Sequence, residues 1–138
     1  MNIDSIKNGI VIDHIEAGKG MEIYNLLKLD SLDCSVAIIK NASSRKMGRK
    51  DIIKIDAKID LDMDILGFVS PSATVDIIRD GVLAEKKKMS LPEKLTNVIY
   101  CKNPRCISST EQELPHIFSL TNAANREYRC IYCETEGK

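Results

Sequence analysis

The chain contains no tryptophan and only two phenylalanines among 138 residues. An interior built on aromatic rings is therefore excluded, and the core must be aliphatic, with Ile as its main component. Net charge is also absent, since 20 Lys and Arg balance 20 Asp and Glu. That balance argues against a protein that grips nucleic acid or anionic lipid through bulk charge. No apolar run approaches the ~18 residues needed to span a bilayer. The opening "MNIDSIKNGIVIDHI" has no basic stretch followed by an unbroken apolar one, so a secretory leader is not expected. The chain is expected to be soluble and cytoplasmic, with neither membrane nor nucleic acid as a partner. No Walker A or G-x-G-x-x-G pattern occurs, and no nucleophile is spaced with a base and an orienting group. Hydrophobic residues nevertheless make up 43% of the sequence, enough for a packed core.

Cysteine is distributed unevenly. Four of the five cysteines fall in the last third, as Cys101 and Cys106 in C-x4-C and Cys130 and Cys133 in C-x2-C. In a reducing compartment such pairs more often hold metal than form disulfides. Each short turn aims two thiolates at one point, and two turns complete a tetrahedron, the geometry of structural zinc. Four Cys ligands leave no position for water, so the expected Zn2+ is single and structural, not catalytic. Two disulfides or four unrelated buried thiols are the alternatives. The flanks "NVIY", "EYR" and "IY" read as strands, which predicts two knuckles on neighbouring antiparallel strands. A segment of only 46 residues, Glu93 to Lys138, is marginal without such a staple. Cys34, in "LDCSVAII", reads as a small buried hydrophobe, and His116 as a structural or surface histidine.

The earlier part of the chain carries β-branched runs of strand length: "IVIDHI" (10 to 15), "CSVAIIK" (34 to 40) and "DIIKIDAKI" (51 to 59). Ile23, Leu26 and Leu27 form a helical stripe between the first two. Pro71, Ser72 and Gly81 bracket an expected helix over 70–81, and "VLAEKKK" (82 to 88) is an expected last strand, while "DAKIDLDMD" reads as a solvated linker. The order β-α-β-β-α-β predicts an α+β, ferredoxin-like domain over residues 1–92. A small all-β zinc domain is expected over residues 93–138, with the boundary near Pro92.

Lys50 and Lys54 share a strand face with Ile52, and "KKK" at 86 to 88 adds further cations. Two ammonium groups on one open face suit a polyphosphate, and Asp13 at the end of the first strand suits ribose hydroxyls. A solvated charged face is the alternative, because this domain has 14 basic and 14 acidic residues.

The stretches "IKNGIVIDHI", "MGRKDIIKI", "PSATVDII", "SLPEKLTNVIYCKNPRCIS" and "CIYCE" closely resemble, in the same order, the family of aspartate carbamoyltransferase regulatory chains. The resemblance covers nearly the whole sequence. It implies a non-catalytic subunit that binds CTP, UTP or ATP as allosteric effectors. Such a subunit pairs as a homodimer through its N-terminal domain and docks on the catalytic chain through its zinc domain, in pyrimidine biosynthesis. Ile3, Asp4, Ser5 and Ile6 match positions near the base, and Val11, Asp13 and His14 match the first strand of the effector pocket. Lys50, Lys54 and Lys86 match contacts to ribose and phosphates, and Ile78 and Leu83 match the pocket wall. The sequence departs from better-known members at Asp76, where they carry Asn, and at Gly81, where they carry an aromatic residue. A free-standing zinc-ribbon protein that binds nucleic acid is the alternative reading. Against it, the segment from Glu93 onward holds six basic and six acidic residues, with no basic excess.

Overall fold

The chain divides into two compact units, Met1–Ser90 and Leu91–Lys138, and its computed structural model describes residues 6–137. In the first unit the elements run β1 (Gly9–Glu16), α1 (Gly20–Leu26), a 3-10 turn (Leu29–Ser31), β2 (Val36–Ser44), β3 (Gly48–Ile55), α2 (Met63–Val69), β4 (Thr74–Arg79) and β5 (Val82–Lys88). The sheet has the order β2-β3-β1-β4-β5, with every pairing antiparallel. Its first four strands and two helices are the split βαβ arrangement, and β5 extends it.

Period-two alternation decides which side of each strand is buried. Ile10 and Ile12 of β1, Ile53 and Ile55 of β3 and Val75 of β4 join Ile23 of α1 and Leu66 and Val69 of α2 in one core. Cys34 is partly buried and packs against that core. Asp51 also faces inward and is fully buried. The Gly18 and Gly20 N–H groups donate to its Oδ2 at 3.1 and 2.9 Å, and the Asn41 N–H donates to its Oδ1 at 2.8 Å. One carboxylate thus ties the start of α1 and the irregular middle of β2 to β3. A Cβ on Gly20 would stand 2.8 Å from Asp51 Oδ2, so the close approach requires glycine.

Two expectations are corrected here. Residues 70–81, read as a helix, instead form the loop after α2, the strand β4 and a hairpin turn. Thr74, Val75, Ile77 and Ile78 supply β-branched side chains. Asp80 and Gly81 both have positive φ, 52° and 79°, as a two-residue type I′ hairpin requires. The second helix instead begins inside the stretch read as a solvated linker. Asp62 caps α2, its Oδ1 accepting from the Asp64 and Ile65 N–H groups at 3.0 and 3.2 Å, which satisfies two of the helix's free donors.

The second unit contains β6 (Lys94–Thr96), the single-turn helix α3 (Ile107–Thr110), β7 (Ile117–Asn122), β8 (Glu127–Cys130) and β9 (Glu136–Gly137). They form one sheet of order β6-β7-β8-β9, besides α3. Leu95, Phe118 and Tyr128 are fully buried in it, and the Tyr128 hydroxyl donates to the Pro92 carbonyl at 2.7 Å. "EYR" is in β8 as expected, but "NVIY" is a series of bends and "IY" is a turn. Polar Asn97 explains the first difference, since it adopts φ 57° and accepts the His116 N–H at 2.9 Å. The two knuckles therefore follow β6 and β8, which are separated by β7. Among the described residues no helix is long and apolar enough to cross a membrane.

Candidate functional site

Each unit brings one constellation together. In the first, the sheet face turned away from the core carries most of the residues singled out in the sequence. Val11 of β1 stands opposite Lys54 of β3 on one side and opposite Asp76 of β4 on the other. Asp76 in turn stands opposite Lys86 of β5, Thr74 opposite Lys88, and Ile78 opposite Leu83. Directly opposed residues share a face, so Lys54, Val11, Asp76 and Lys86 form one row across four strands. Asp13, opposite Thr74, lies in the next row. Leu83 is 55% exposed, so this face offers apolar surface as well as charge. Ile6 is half-buried just before β1. Ile3, Asp4 and Ser5 lie outside the described residues.

A bulge shapes the upper end of this face. The register of β1 against β3 shifts between Ile12 and Ile15, and His14 takes φ 56°. The extra residue lets both Ile12 and Ile15 point into the core, which strict period-two alternation would not allow for residues three apart. A positive φ at a non-glycine residue is unfavourable by roughly 1–2 kcal/mol, and bulges of this kind re-aim side chains next to binding sites. Surrounding hydrogen bonds hold it in place. The Ser72 hydroxyl donates to the His14 carbonyl at 2.9 Å, and the Glu16 N–H donates to Ser70 Oγ at 3.0 Å. His14 Nδ1 lies 3.0 Å from Thr74 Oγ1. Ser72, which the sequence offers with Pro71 as a helix-start signal, here fastens the bulge together with Ser70.

Asp13 sits at the bulge with its Oδ1 2.9 Å from Lys50 Nζ. Burial acts to raise the Asp13 carboxyl, but the hydrogen bond from Lys50 and the His14 N–H outweigh it and hold the group below its ordinary 3.8. Asp13 is thus a fixed anion that orients Lys50. Of the basic clusters noted in the sequence, Lys87 stands opposite inward-facing Val75 and does not share the row of Lys86.

In the second unit, Cys101, Cys106, Cys130 and Cys133 converge with all four Sγ atoms within 4.8 Å of one another. Cys101 and Cys133 are 3.5 Å apart and Cys106 and Cys130 are 3.7 Å apart, far beyond a ~2.05 Å disulfide. The first knuckle is built by Asn103, whose Oδ1 accepts the Arg105 N–H at 3.0 Å and whose carbonyl accepts the Cys106 N–H at 3.1 Å. The second closes through the Glu134 N–H, which donates to the Cys130 carbonyl at 2.9 Å, with Glu134 at φ 64°. His116 Nδ1 accepts the Cys101 N–H at 3.2 Å, a contact that spacing alone could not reveal.

The thiols experience unequal pulls. Burial pushes Cys101 up to about 12, while the Thr135 hydroxyl, 3.1 Å from Cys133 Sγ, helps draw Cys133 down to about 6. The buried Ser108 hydroxyl, 3.1 Å from Cys106 Sγ, lowers Cys106. Four sulfurs so close cannot all ionise unless a cation sits among them. The donor set suits a thiophilic ion in a closed tetrahedral site. Around the cage, Tyr100, Ile107, Ile131 and Tyr132 are exposed, each next to a ligand or within two residues of one.

Comparison with known proteins agrees with this division. Residues 1–90 match the model of the aspartate carbamoyltransferase regulatory chain, allosteric domain. Residues 93–138 match that of the regulatory chain's metal binding domain. The chain is 51% identical to the aspartate carbamoyltransferase regulatory chain of Clostridium botulinum strain Hall over 134 residues, covering 97% of this chain and 92% of that protein. It is 50% identical to the chain of that name from Clostridium tetani strain Massachusetts, covering 97% and 94%. With the one from Bifidobacterium longum strain NCC 2705 the identity is 46%, covering 100% and 99%.

Proposed function

The chain belongs to the aspartate carbamoyltransferase regulatory-chain family, and from that premise we propose how its two units divide the regulatory work. Its role is regulatory and not catalytic. In our reading the first unit takes a nucleoside triphosphate (CTP, UTP or ATP) on the open sheet face. Lys54 and Lys86 meet the phosphates, Asp13 and Lys50 the ribose, and His14, Ile78 and Leu83 line the pocket, with the base toward residues 3–6. The observation that carries this is the shared row of Val11, Lys54, Asp76 and Lys86, with the Asp13–Lys50 pair beside it. Cations spaced over several strands suit a chain of phosphates.

The cage in the second unit would hold one structural Zn2+. Metal–sulfur bonds of ~2.3 Å in a tetrahedron place sulfurs about 3.8 Å apart, and the two short separations here are 3.5 and 3.7 Å. The rim of Tyr100, Ile107, Ile131 and Tyr132 is an exposed apolar surface of the kind that marks a protein contact, and it supports docking on the catalytic chain. A homodimer would form through the first unit, whose edge strands β2 and β5 have no further strand beside them among the described residues. A cytoplasmic setting follows from four thiols that must stay reduced to bind metal. A nucleic-acid role is not favoured, given the balanced charge of the second unit.

An effector can shift activity only if it binds one quaternary state better than the other. Couplings of this kind are about 1–3 kcal/mol. Calorimetric titration of the full chain with CTP, UTP and ATP tests the nucleotide reading. At least one should bind, and Lys54→Ala and Lys86→Ala should weaken it with metal content unchanged. Equal affinity in both variants and the parent chain would overturn the assignment.

A further inference from the structure

Beside the cysteine cage, the half-buried His116 commits its backbone and one ring nitrogen to holding itself in place. Its N–H donates to Asn97 Oδ1 at 2.9 Å, and its carbonyl accepts the Asn97 N–H at 2.7 Å. On the ring, Nδ1 takes the Cys101 N–H at 3.2 Å. A backbone N–H can only donate, so Nδ1 is the acceptor and the ring carries its hydrogen on Nε2. That second nitrogen has no hydrogen-bond partner among the described residues, where the only fully buried unpaired side-chain oxygen or nitrogen is Asp76 Oδ1. Nε2 is therefore a donor open to water.

The ring is also held from the side. Its centroid lies 4.8 Å from that of Tyr100, with the two planes at 68°, an edge-to-face contact. Tyr100 is 60% exposed and belongs to the apolar rim of the cage. His116 thus joins the backbone of a metal ligand to an exposed aromatic side chain. Support of the first knuckle accounts for Nδ1, and the shorter side chain of an asparagine would serve that purpose. Imidazole adds a second polar atom, of donor sense, beside the rim. Apolar burial is non-directional, so the rim alone does not fix how a partner sits on it. A donor already immobilised in the folded chain supplies direction without a further loss of side-chain freedom on association.

We propose that His116 is a specificity-determining contact of the docking surface, its Nε2–H donating to an acceptor oxygen of the catalytic chain. The inference rests on the docking reading of the rim and deepens it. The catalytic chain is the occupant because this chain belongs to the family of its regulatory partner, and because the donor is continuous with the rim through Tyr100. One ring then serves two ends: Nδ1 holds the Cys101 backbone, and Nε2 reads the partner. Loss of the ion would release Cys101 and, with it, the aim of the donor.

Two variants separate the two nitrogens. His116→Asn sets an amide oxygen near the place of Nδ1 and nothing at Nε2. His116→Gln sets an amide nitrogen near the place of Nε2 and leaves the Cys101 N–H unanswered. Each full chain is measured for metal per chain, for the rate at which a chromogenic chelator removes that metal, and for affinity toward the purified catalytic chain. His116→Asn should keep its metal as wild type does but dock about tenfold more weakly. His116→Gln should give up its metal faster yet dock more tightly than His116→Asn. Docking that instead follows metal retention, with His116→Gln the weaker, assigns the ring to the knuckle alone and overturns the proposal, as does wild-type affinity in both variants. A further measurement needs no variant to fold: exchange of the His116 Cε1 hydrogen in the wild-type chain, read by mass spectrometry, should slow on docking. An unchanged rate in the assembled complex overturns the proposal and leaves the docking reading intact. Failure of the wild-type chain to associate with the catalytic chain removes the docking reading and this inference with it.

Discussion

The two units of this chain solve the problem of stability by different means. The first buries Ile10, Ile12, Ile15, Ile23, Leu29, Ile53, Ile55, Leu66, Val69, Ala73 and Val75 in one aliphatic cluster. Among the described residues the second has only Leu95, Ile99, Phe118 and Tyr128 as comparable buried apolar residues, beside Cys106 and Cys130. A unit of that size cannot bury enough apolar surface to offset the conformational entropy of its loops. The difference teaches that the first unit is free to expose a polar, adjustable sheet face, because its order comes from the opposite side of the sheet. The second has its ordering centre at the cage itself, so metal, fold and apolar rim stand or fall together.

The largest expected effect follows from that contrast. Structural metal in cysteine-rich sites is worth on the order of 10–16 kcal/mol in apparent binding. Cys106→Ser, or removal of the ion by a strong chelator, should unfold residues 93–137 and leave the first unit folded. Amide exchange should then show fast exchange at Phe118 and Tyr128 with Ile12 and Ile53 still protected. Protection surviving in both units would break the comparison. The reciprocal change is smaller: Ile53→Ala should lower the stability of the first unit by about 2–5 kcal/mol, read as a shifted urea midpoint, with metal content unaltered.

The sequence made the second site more legible than the first, for a physical reason. Thiol ligands in close pairs are constrained by the metal's geometry, so spacing alone located the cage. The sheet face was assembled from β1, β3, β4 and β5, and no local pattern announces a row across four strands. Lys50 and Lys54 could be paired on one face by period two, but their alignment with Asp76 and Lys86 depended on reading β4 correctly. Acidic Asp56, Asp60, Asp62 and Asp64 concealed the start of α2 as a linker, although Asp62 is a good cap. Gly81 reads locally as a helix stop, although Asp-Gly between β-branched runs is a hairpin signal. The β1 bulge at His14 was invisible in sequence, because it depends on Ser70 and Ser72 arriving from a distant loop.

Two smaller predictions sharpen the picture of the first unit. Lys86→Ala should weaken nucleotide binding by about tenfold, equivalent to about 1.4 kcal/mol, with no change in the amount of metal bound per chain. The Asp13 carboxyl is held below its ordinary value, so its contribution to stability is fully present above 3.8 and is lost as pH falls through the lowered folded value. The stability difference between wild type and Asp13→Asn should therefore be constant from about pH 8 to about pH 5 and shrink only in stronger acid. A difference that already shrinks near neutral pH would show that Lys50 and the His14 N–H do not hold the carboxylate ionised.

The central claim is that nucleotide bound on the sheet face alters the activity of a separate catalytic chain through the metal-held unit. The most direct measurement reconstitutes the metal-loaded chain with its catalytic partner and follows aspartate-dependent activity with CTP, UTP and ATP in turn. At least one nucleotide should shift that dependence several-fold, matching a coupling of about 1–3 kcal/mol, and Lys86→Ala should diminish the shift. An assembled complex that binds nucleotide yet keeps the same activity curve with all three would contradict the account.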